Sequence, residues 1–315
     1  MSITAADILE RAKNWDISQM RMTDGWPVRT AFWKMTSPPK HRVLMHPGRA
    51  ECIEKRTLRA QEWADRGVQA YTFDWRGQAG SGRVLPREPM KCHINDFNTY
   101  LSDLHEIWER LWLPGKHIQG RNIIEGHSLG SHLLLRYMSE HPDTPGADNM
   151  IIEAPLISIK TDPIPPVIAY PIAQFLGTAI GTHWAKGQKP SSARAQAKAR
   201  FEGNPYTADP EYYAWRQELM HLRPELAIGG VTWSWAAAAL RSHRALISKL
   251  SNIKTPTLAL ITPNDPEIDG GSQGALQQLK NCQVVEFANS RHELFMGPPE
   301  LRQREWATID RYLHL

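Results

Sequence analysis

The stretch Asn122-Ile123-Ile124-Glu125-Gly126-His127-Ser128-Leu129-Gly130, running straight into an amphipathic helical pattern at 131–138, decides the fold. A short apolar strand, a Gly-x-Ser-x-Gly turn and a helix in immediate succession form a nucleophile elbow. Its glycines permit a tight turn that lifts the Ser128 hydroxyl clear of a sheet. The helix N-terminus behind it favours developing negative charge. The same pattern recurs at Gly270-Gly271-Ser272-Gln273-Gly274. Ser272, however, follows its preceding strand only after a polar loop, in the manner of a helix cap, and too little chain remains beyond it for the rest of such an architecture. Ser128 is therefore the expected nucleophile.

Outward from the elbow, apolar runs at 43–45, 68–73, 122–124 and 150–152 alternate with amphipathic helical patterns at 53–65, 96–112 and 129–141. This is the rhythm of βαβ units around a parallel sheet. Two segments before it, 17–22 and 27–33, flank Asp24-Gly25 and read as an antiparallel hairpin. The rhythm stops at 155–251, a stretch rich in Pro, Trp and Tyr. It resumes with a strand at 257–261, a helix at 273–279, a strand at 284–287 and a last helix from about Pro299, where Pro298 and Pro299 suit a helix start. The expected class is α/β, a mostly parallel sheet flanked by helices. Its catalytic core spans 1–154 and 252–315, interrupted by a helical cap at 155–251.

Composition narrows the function classes. The 315 residues carry 37 Lys and Arg against 33 Asp and Glu, a net charge of +4 that is too weak to argue for nucleic acid. The 41% apolar content supplies a sizeable core and excludes disorder for most of the chain. Cys52, Cys92 and Cys282 lie far apart and form no CxxC, so reduced thiols in a cytoplasmic protein are expected, with neither a disulfide framework nor a zinc cluster. The first 15 residues carry Asp7, Glu10, Arg11 and Lys13 and read as a short amphipathic helix, not a secretory signal. No apolar run is long enough to span a bilayer, since 164–180 is broken by Pro165, Pro166 and Pro171. The 12 Trp are many; Trp184, Trp215, Trp233 and Trp235 fall in the insertion, and Trp33 and Trp75 end neighbouring core segments.

A serine hydroxyl needs a base, and the base needs a carboxylate to hold its tautomer. In this fold the chain order is serine, acid, histidine. His292, in the loop between the last strand and the last helix, is the best placed of the 13 histidines. The acid is expected just after the strand at 257–261; Asp265 is nearest the strand end, with Asp269 second and Glu267 third. Two backbone amides should face the oxyanion. One belongs to Leu129. The other comes from the loop after 43–45, where Pro47 has no amide hydrogen and Arg49 is the expected donor.

These residues resemble the α/β-hydrolase superfamily and, within it, the bacterial lysophospholipase and monoacylglycerol lipase branch. The resemblance rests on Pro47-Gly48-Arg49-Ala50-Glu51, the oxyanion loop; on Asp74-Trp75-Arg76-Gly77-Gln78-Ala79-Gly80-Ser81-Gly82-Arg83, which is similar to the branch's DxRGxGxS loop; and on His93-Ile94-Asn95-Asp96-Phe97, Gly229-Gly230-Val231-Thr232-Trp233 and His292-Glu293. Ala79 stands where the branch usually has glycine, and the acid loop is not a close match. The resemblance implies a serine hydrolase of a lysophospholipid or monoacylglycerol, working through an acyl-enzyme without metal or organic cofactor. It also implies that the insertion shapes the acyl pocket, so Ile164, Val167, Ile168, Ile172, Phe175, Leu176 and Ile180 either line a channel, touch a bilayer or fill the cap's own core. Trp233 is the expected substrate-binding aromatic. The acid-free run of Lys189, Arg194, Lys198 and Arg200 either meets anionic head groups at the inner membrane surface or is a solvated helix face. The rival readings are a hydrolase of a smaller ester, lactone or amide, and a non-catalytic binding protein, whose mark would be a broken triad.

Overall fold

The computed structural model describes residues 5–115, 120–188, 192–263, 265–288 and 290–315. Lys189 of the basic run lies outside the described residues. The strands are β1 (Trp15–Arg21), β2 (Pro27–Trp33), β3 (His41–His46), β4 (Val68–Phe73), β5 (Asn122–His127), β6 (Asn149–Glu153), β7 (Thr257–Ile261) and β8 (Cys282–Glu286). They form one sheet in the order β1-β2-β4-β3-β5-β6-β7-β8. β1 and β2 make the expected hairpin, with Trp15 opposite Trp33, and β2 runs antiparallel to β4. All the remaining pairs are parallel.

Helices α1 (Ala5–Arg11), α2 (Thr57–Ala64), α3 (Asn98–Ile107) and α4 (Leu129–Glu140) precede β6 or the strands before it. Between β6 and β7 the chain builds α5 (Pro166–Ala179), α6 (Ala193–Ala197), α7 (Pro210–Leu222) and α8 (Trp233–Lys249); α9 (Pro299–Leu313) closes the fold. The central strands are buried on both faces, as strands of a covered parallel sheet must be. Leu44, Ile124, Ile152 and Ala259 pack with Leu104 of α3 and Leu133 of α4. Val43, Ile123, Ile151 and Leu258 point the other way, toward Trp63 of α2 and Trp306 and Ile309 of α9.

Several expected elements are redrawn. The helix expected at 273–279 is a 3₁₀ stretch, Gly270–Gln278, capped by the Asp269 carboxylate on the Gly271 amide. Three glycines in nine residues remove the side-chain packing and entropy that an α-helix needs. The last strand begins at Cys282, two residues earlier than its apolar pattern. The helix expected at 53–65 is a 3₁₀ turn, Ile53–Arg56, followed by α2. Four of its charged residues do not face solvent: Glu54, Lys55, Arg56 and Arg59 are all buried. Arg59 pairs with Glu125 of β5 at 3.1 Å, Glu153 of β6 at 2.5 Å and Glu305 of α9 at 2.9 Å. The tryptophan excess also belongs mainly to the core, since Trp33, Trp63, Trp75, Trp108 and Trp112 are among the largest fully buried side chains. Trp63 meets Trp306 edge to face at 4.8 Å. Among the described residues no helix is long and apolar enough to cross a membrane.

Candidate active site

The site sits where parallel strands end and their loops converge. β5 runs into α4 through Ser128, which has φ 52° and ψ −114°, a backbone conformation that costs a non-glycine residue energy and is held by its surroundings. The Ser128 amide donates to the Glu153 carbonyl at 3.0 Å, and its carbonyl accepts from His132 and Leu156, so the elbow is tied to β6 and to α4. Gly130 has to be glycine because a Cβ there would overlap the His46 and Pro47 carbonyls. That close approach brings the loop after β3 against the elbow. A Cβ on Gly48 would lie 3.3 Å from Ser128 Cβ, which puts the oxyanion loop beside the serine. The Arg49 amide makes no backbone hydrogen bond among the described residues, and the Leu129 amide lies in the first turn of α4, where helix amides lack partners. Arg49's side chain is held to the chain before α8, Nη1 donating to the Gly229 carbonyl at 2.8 Å.

His292 lies in the loop between β8 and α9. Its Nε2 is 2.9 Å from Ser128 Oγ and its Nδ1 is 2.6 Å from Asp265 Oδ2. All three side chains are buried. Asp265 also accepts from the Thr262 hydroxyl at 2.9 Å and the Glu267 amide at 2.8 Å. Burial disfavours its charge, yet the His292 bond together with these donors outweighs burial and holds the carboxyl below its ordinary range. The two other acids of the loop take different roles: Asp269 caps the 3₁₀ stretch, and Glu267 is exposed on the cavity wall. Ser272 donates to the Asp269 carbonyl at 2.6 Å and lies within that turn.

A second set of contacts fixes the histidine loop, and its residues carried no such role in the sequence. His127 bonds Glu51 through Nδ1, and its Nε2 donates to the His292 carbonyl at 3.0 Å. Arg56 approaches Glu51 at 2.7 Å. Burial works against the Glu51 charge, but Arg56 and His127 overcome it and keep the carboxyl far below its usual value. Lys55 pairs with Glu293, the residue after the histidine. From the opposite side, the His292 and Glu293 amides donate to the Pro205 and Tyr206 carbonyls at 3.2 and 2.8 Å, and Arg291 donates to the Asn204 and Thr207 carbonyls, both at 2.9 Å. No signal in the sequence marked this set: six of the nine residues from Glu51 to Arg59 are charged or polar, and only partners far along the chain explain their burial.

The Asp74 loop is knitted in the same way. Asp74 accepts from Arg29 at 2.6 Å and from the Gly80 and Ile53 amides, both at 2.9 Å. Burial, offset by Arg29, pushes its carboxyl up to about 6. Ala79 takes a left-handed φ of 41°. Burial raises the Cys92 and Cys282 thiols to about 11, so neither is poised as a nucleophile at neutral pH. Among the described residues no three His, Cys, Asp or Glu side chains converge to hold a metal ion.

Ser128 and His292 open onto a cavity of about 430 Å³. Ile164, Ile172, Ala173, Trp233, Trp235 and Leu240 give it an apolar wall, and Lys160, Lys186 and Glu267 a charged one. Of the apolar residues singled out in the sequence, Ile164 and Ile172 reach this cavity, whereas Val167, Ile168 and Phe175 stand in solvent.

A model of the family described as serine aminopeptidase, S33, matches residues 37–299. Lysophospholipase L2 of Escherichia coli is 26% identical over 274 residues, 85% of this chain and 76% of the relative. Among solved structures, a soluble variant of monoglyceride lipase from Saccharomyces cerevisiae matches with a TM-score of 0.72 at 14% identity, covering 95% of this chain and 94% of that one. The monoacylglycerol lipase of Paleococcus ferrophilus matches with a TM-score of 0.66 at 18% identity, covering 91% and 98%. The fold is therefore the α/β-hydrolase fold. The matched span runs from just before β3 to the first residue of α9 and takes in every loop that meets at Ser128, so the chain belongs to the serine aminopeptidase (S33) family of serine hydrolases.

Proposed function

We propose that the protein cleaves the carboxylic ester of a single-chain lipid, a lysophospholipid or monoacylglycerol, through an acyl-enzyme on Ser128. The observation that carries this reading is the hydrogen-bonded chain from Ser128 through His292 to Asp265, opening onto a cavity with an apolar wall. His292 Nε2 takes the hydroxyl proton as Ser128 Oγ attacks the carbonyl, and Asp265 holds the proton on Nδ1 and stabilises the imidazolium. The Arg49 and Leu129 amides face the oxyanion. Collapse of the tetrahedral adduct expels the alcohol, which receives the proton from His292. Water, deprotonated by the same histidine, then releases the fatty acid and restores the serine.

Residues 155–251 act as the cap over this cavity, with Ile164, Ile172 and Trp233 against the acyl chain. The outer face of α5 supports peripheral contact with a membrane by a cytoplasmic protein: Val167 is 80% and Phe175 70% exposed, and the helix carries no charged side chain. The name of the Escherichia coli relative and the monoglyceride lipase neighbours support a lipid ester over a small one. An ester series of increasing acyl length, including lysophospholipid and monoacylglycerol, tests the substrate class. Turnover should rise with chain length; turnover confined to short chains removes the lipid reading and leaves the chemistry. The acid is tested by comparing Asp265→Asn with Asp269→Asn, the first expected to lose at least about 100-fold more activity.

A further inference from the structure

A second cavity, of about 470 Å³, adjoins the first. The two share Arg49, Gln188, Tyr206 and Glu267 as wall residues, so the second opens beside the reaction centre. Its character is different. Arg49, Arg200 and Arg216 line it together with Glu202 and Glu267, three cations against two anions. Arg49 is tied to the Gly229 carbonyl. Arg216 stacks on the Tyr206 ring, 4.4 Å from its centroid, and its charge helps to keep the buried Glu293 carboxylate ionised, while neither it nor Arg200 has an ion pair within 4.0 Å or a hydrogen-bond partner among the described residues. Two guanidinium groups with unused donors in a concave, partly aromatic site suit a phosphate, whose oxygens match their fork geometry. The surplus of one positive charge balances the single negative charge of a phosphodiester.

Ester hydrolysis splits the substrate at the serine into an acyl chain and an alcohol, and the two halves need separate places. The apolar wall of the first cavity takes the chain. A monoacylglycerol would offer the second cavity only glycerol hydroxyls; a single-chain phospholipid would offer it a glycerophosphodiester. Resting on the reading of Ser128 as the nucleophile toward lipid esters, we propose that this cavity is the head-group subsite, in which Arg200 and Arg216 bind the phosphodiester and select single-chain phospholipids over neutral monoacylglycerols. Tyr206, whose carbonyl accepts from the Glu293 amide, joins this subsite to the loop that carries His292.

The test compares lysophosphatidylglycerol and monoacylglycerol of the same acyl chain, both below their aggregation concentrations, on wild type and on the Arg200→Gln, Arg216→Gln double variant. The ratio of KM for the phospholipid to KM for the monoacylglycerol should rise at least about tenfold, the loss of one charged hydrogen bond per tenfold step. An unchanged ratio overturns the proposal. So does an equal rise with Arg194→Gln, Lys198→Gln, which lie in the same basic run but outside the cavity and would report general attraction to anionic surfaces. Calorimetry with glycerophosphoglycerol alone reads the subsite independently of turnover: wild type should bind it and the double variant should not, even if neither lipid is hydrolysed, so failure of the subsite and failure of the functional reading give different results. Inorganic phosphate bound more tightly than glycerophosphoglycerol would make this a free-phosphate site and would also overturn the proposal.

Discussion

Helices α4 and α5 are both rich in apolar side chains, and they meet opposite fates. In α4 every residue from Leu129 to Ser139 is buried. Its polar members find partners: His132 contacts the Leu156 carbonyl at 2.9 Å and Ser242 Oγ at 2.7 Å, and Arg136 donates to Ser242 Oγ at 2.7 Å and to Glu140 at 2.8 Å. In α5 only Ala169 and Ala173 are buried, although the helix has no charge at all. The difference lies in what each helix packs on. α4 lies between the sheet and α8, whereas α5 packs chiefly on α8, with Gln174 bonded to the Ala237 carbonyl at 2.9 Å, and turns Ala169 and Ala173 to the cavity. Apolar content tells what a helix is able to bury, and the neighbouring surface decides what it does bury.

The comparison predicts where substitutions hurt. Leu134→Ala in α4 should cost about 2–5 kcal/mol in a urea titration, because a fully buried side chain leaves a cavity; a cost below 1 kcal/mol, by that estimate of about 2 at least, would break the contrast. His132 gives α4 an acid sensitivity that α5 lacks. Burial holds its folded-state pKa down at about 3, so the unfolded chain takes up the proton first as pH falls below about 6.5, and that linkage drains stability on acidification. Between pH 7 and pH 4.5 the wild type should lose about 2 kcal/mol or slightly more relative to His132→Gln, measured as the difference between two pH series of urea midpoints.

Smaller effects sharpen the picture. Ala79, in the buried loop at the strand ends, sits at φ 41°, so Ala79→Gly should stabilise by about 1 kcal/mol, a rise in thermal midpoint of a few degrees. On the exposed face, Val167→Ser with Phe175→Ser should move stability by less than about 0.5 kcal/mol while reducing co-sedimentation with lipid vesicles. A large loss of stability with unchanged vesicle binding would show that this face is core after all.

Much of this was legible in the chain. The βαβ rhythm gave the strand sequence, and His292 lies within hydrogen-bonding distance of both Ser128 of the elbow and Asp265. What escaped were features that depend on tertiary partners. Charges at Glu51, Lys55, Arg56 and Arg59 look solvated in sequence because their counterions come from β5, β6, the histidine loop and α9, up to 246 positions away in the chain, as for Arg59 and Glu305. The 3₁₀ path of Gly270–Gln278 was masked by an apolar spacing that suits a helix while its glycines do not. The fate of α5 was open in sequence, since periodicity marks an apolar face and leaves its neighbour unspecified.

The central claim is that Ser128 is the nucleophile, and Ser128→Ala tests it most directly. Turnover of the best long-chain ester should fall by at least about 10⁴-fold with the urea midpoint retained, since the hydroxyl is the reacting group and the elbow's backbone bonds do not need it. Undiminished turnover in that variant would contradict the account.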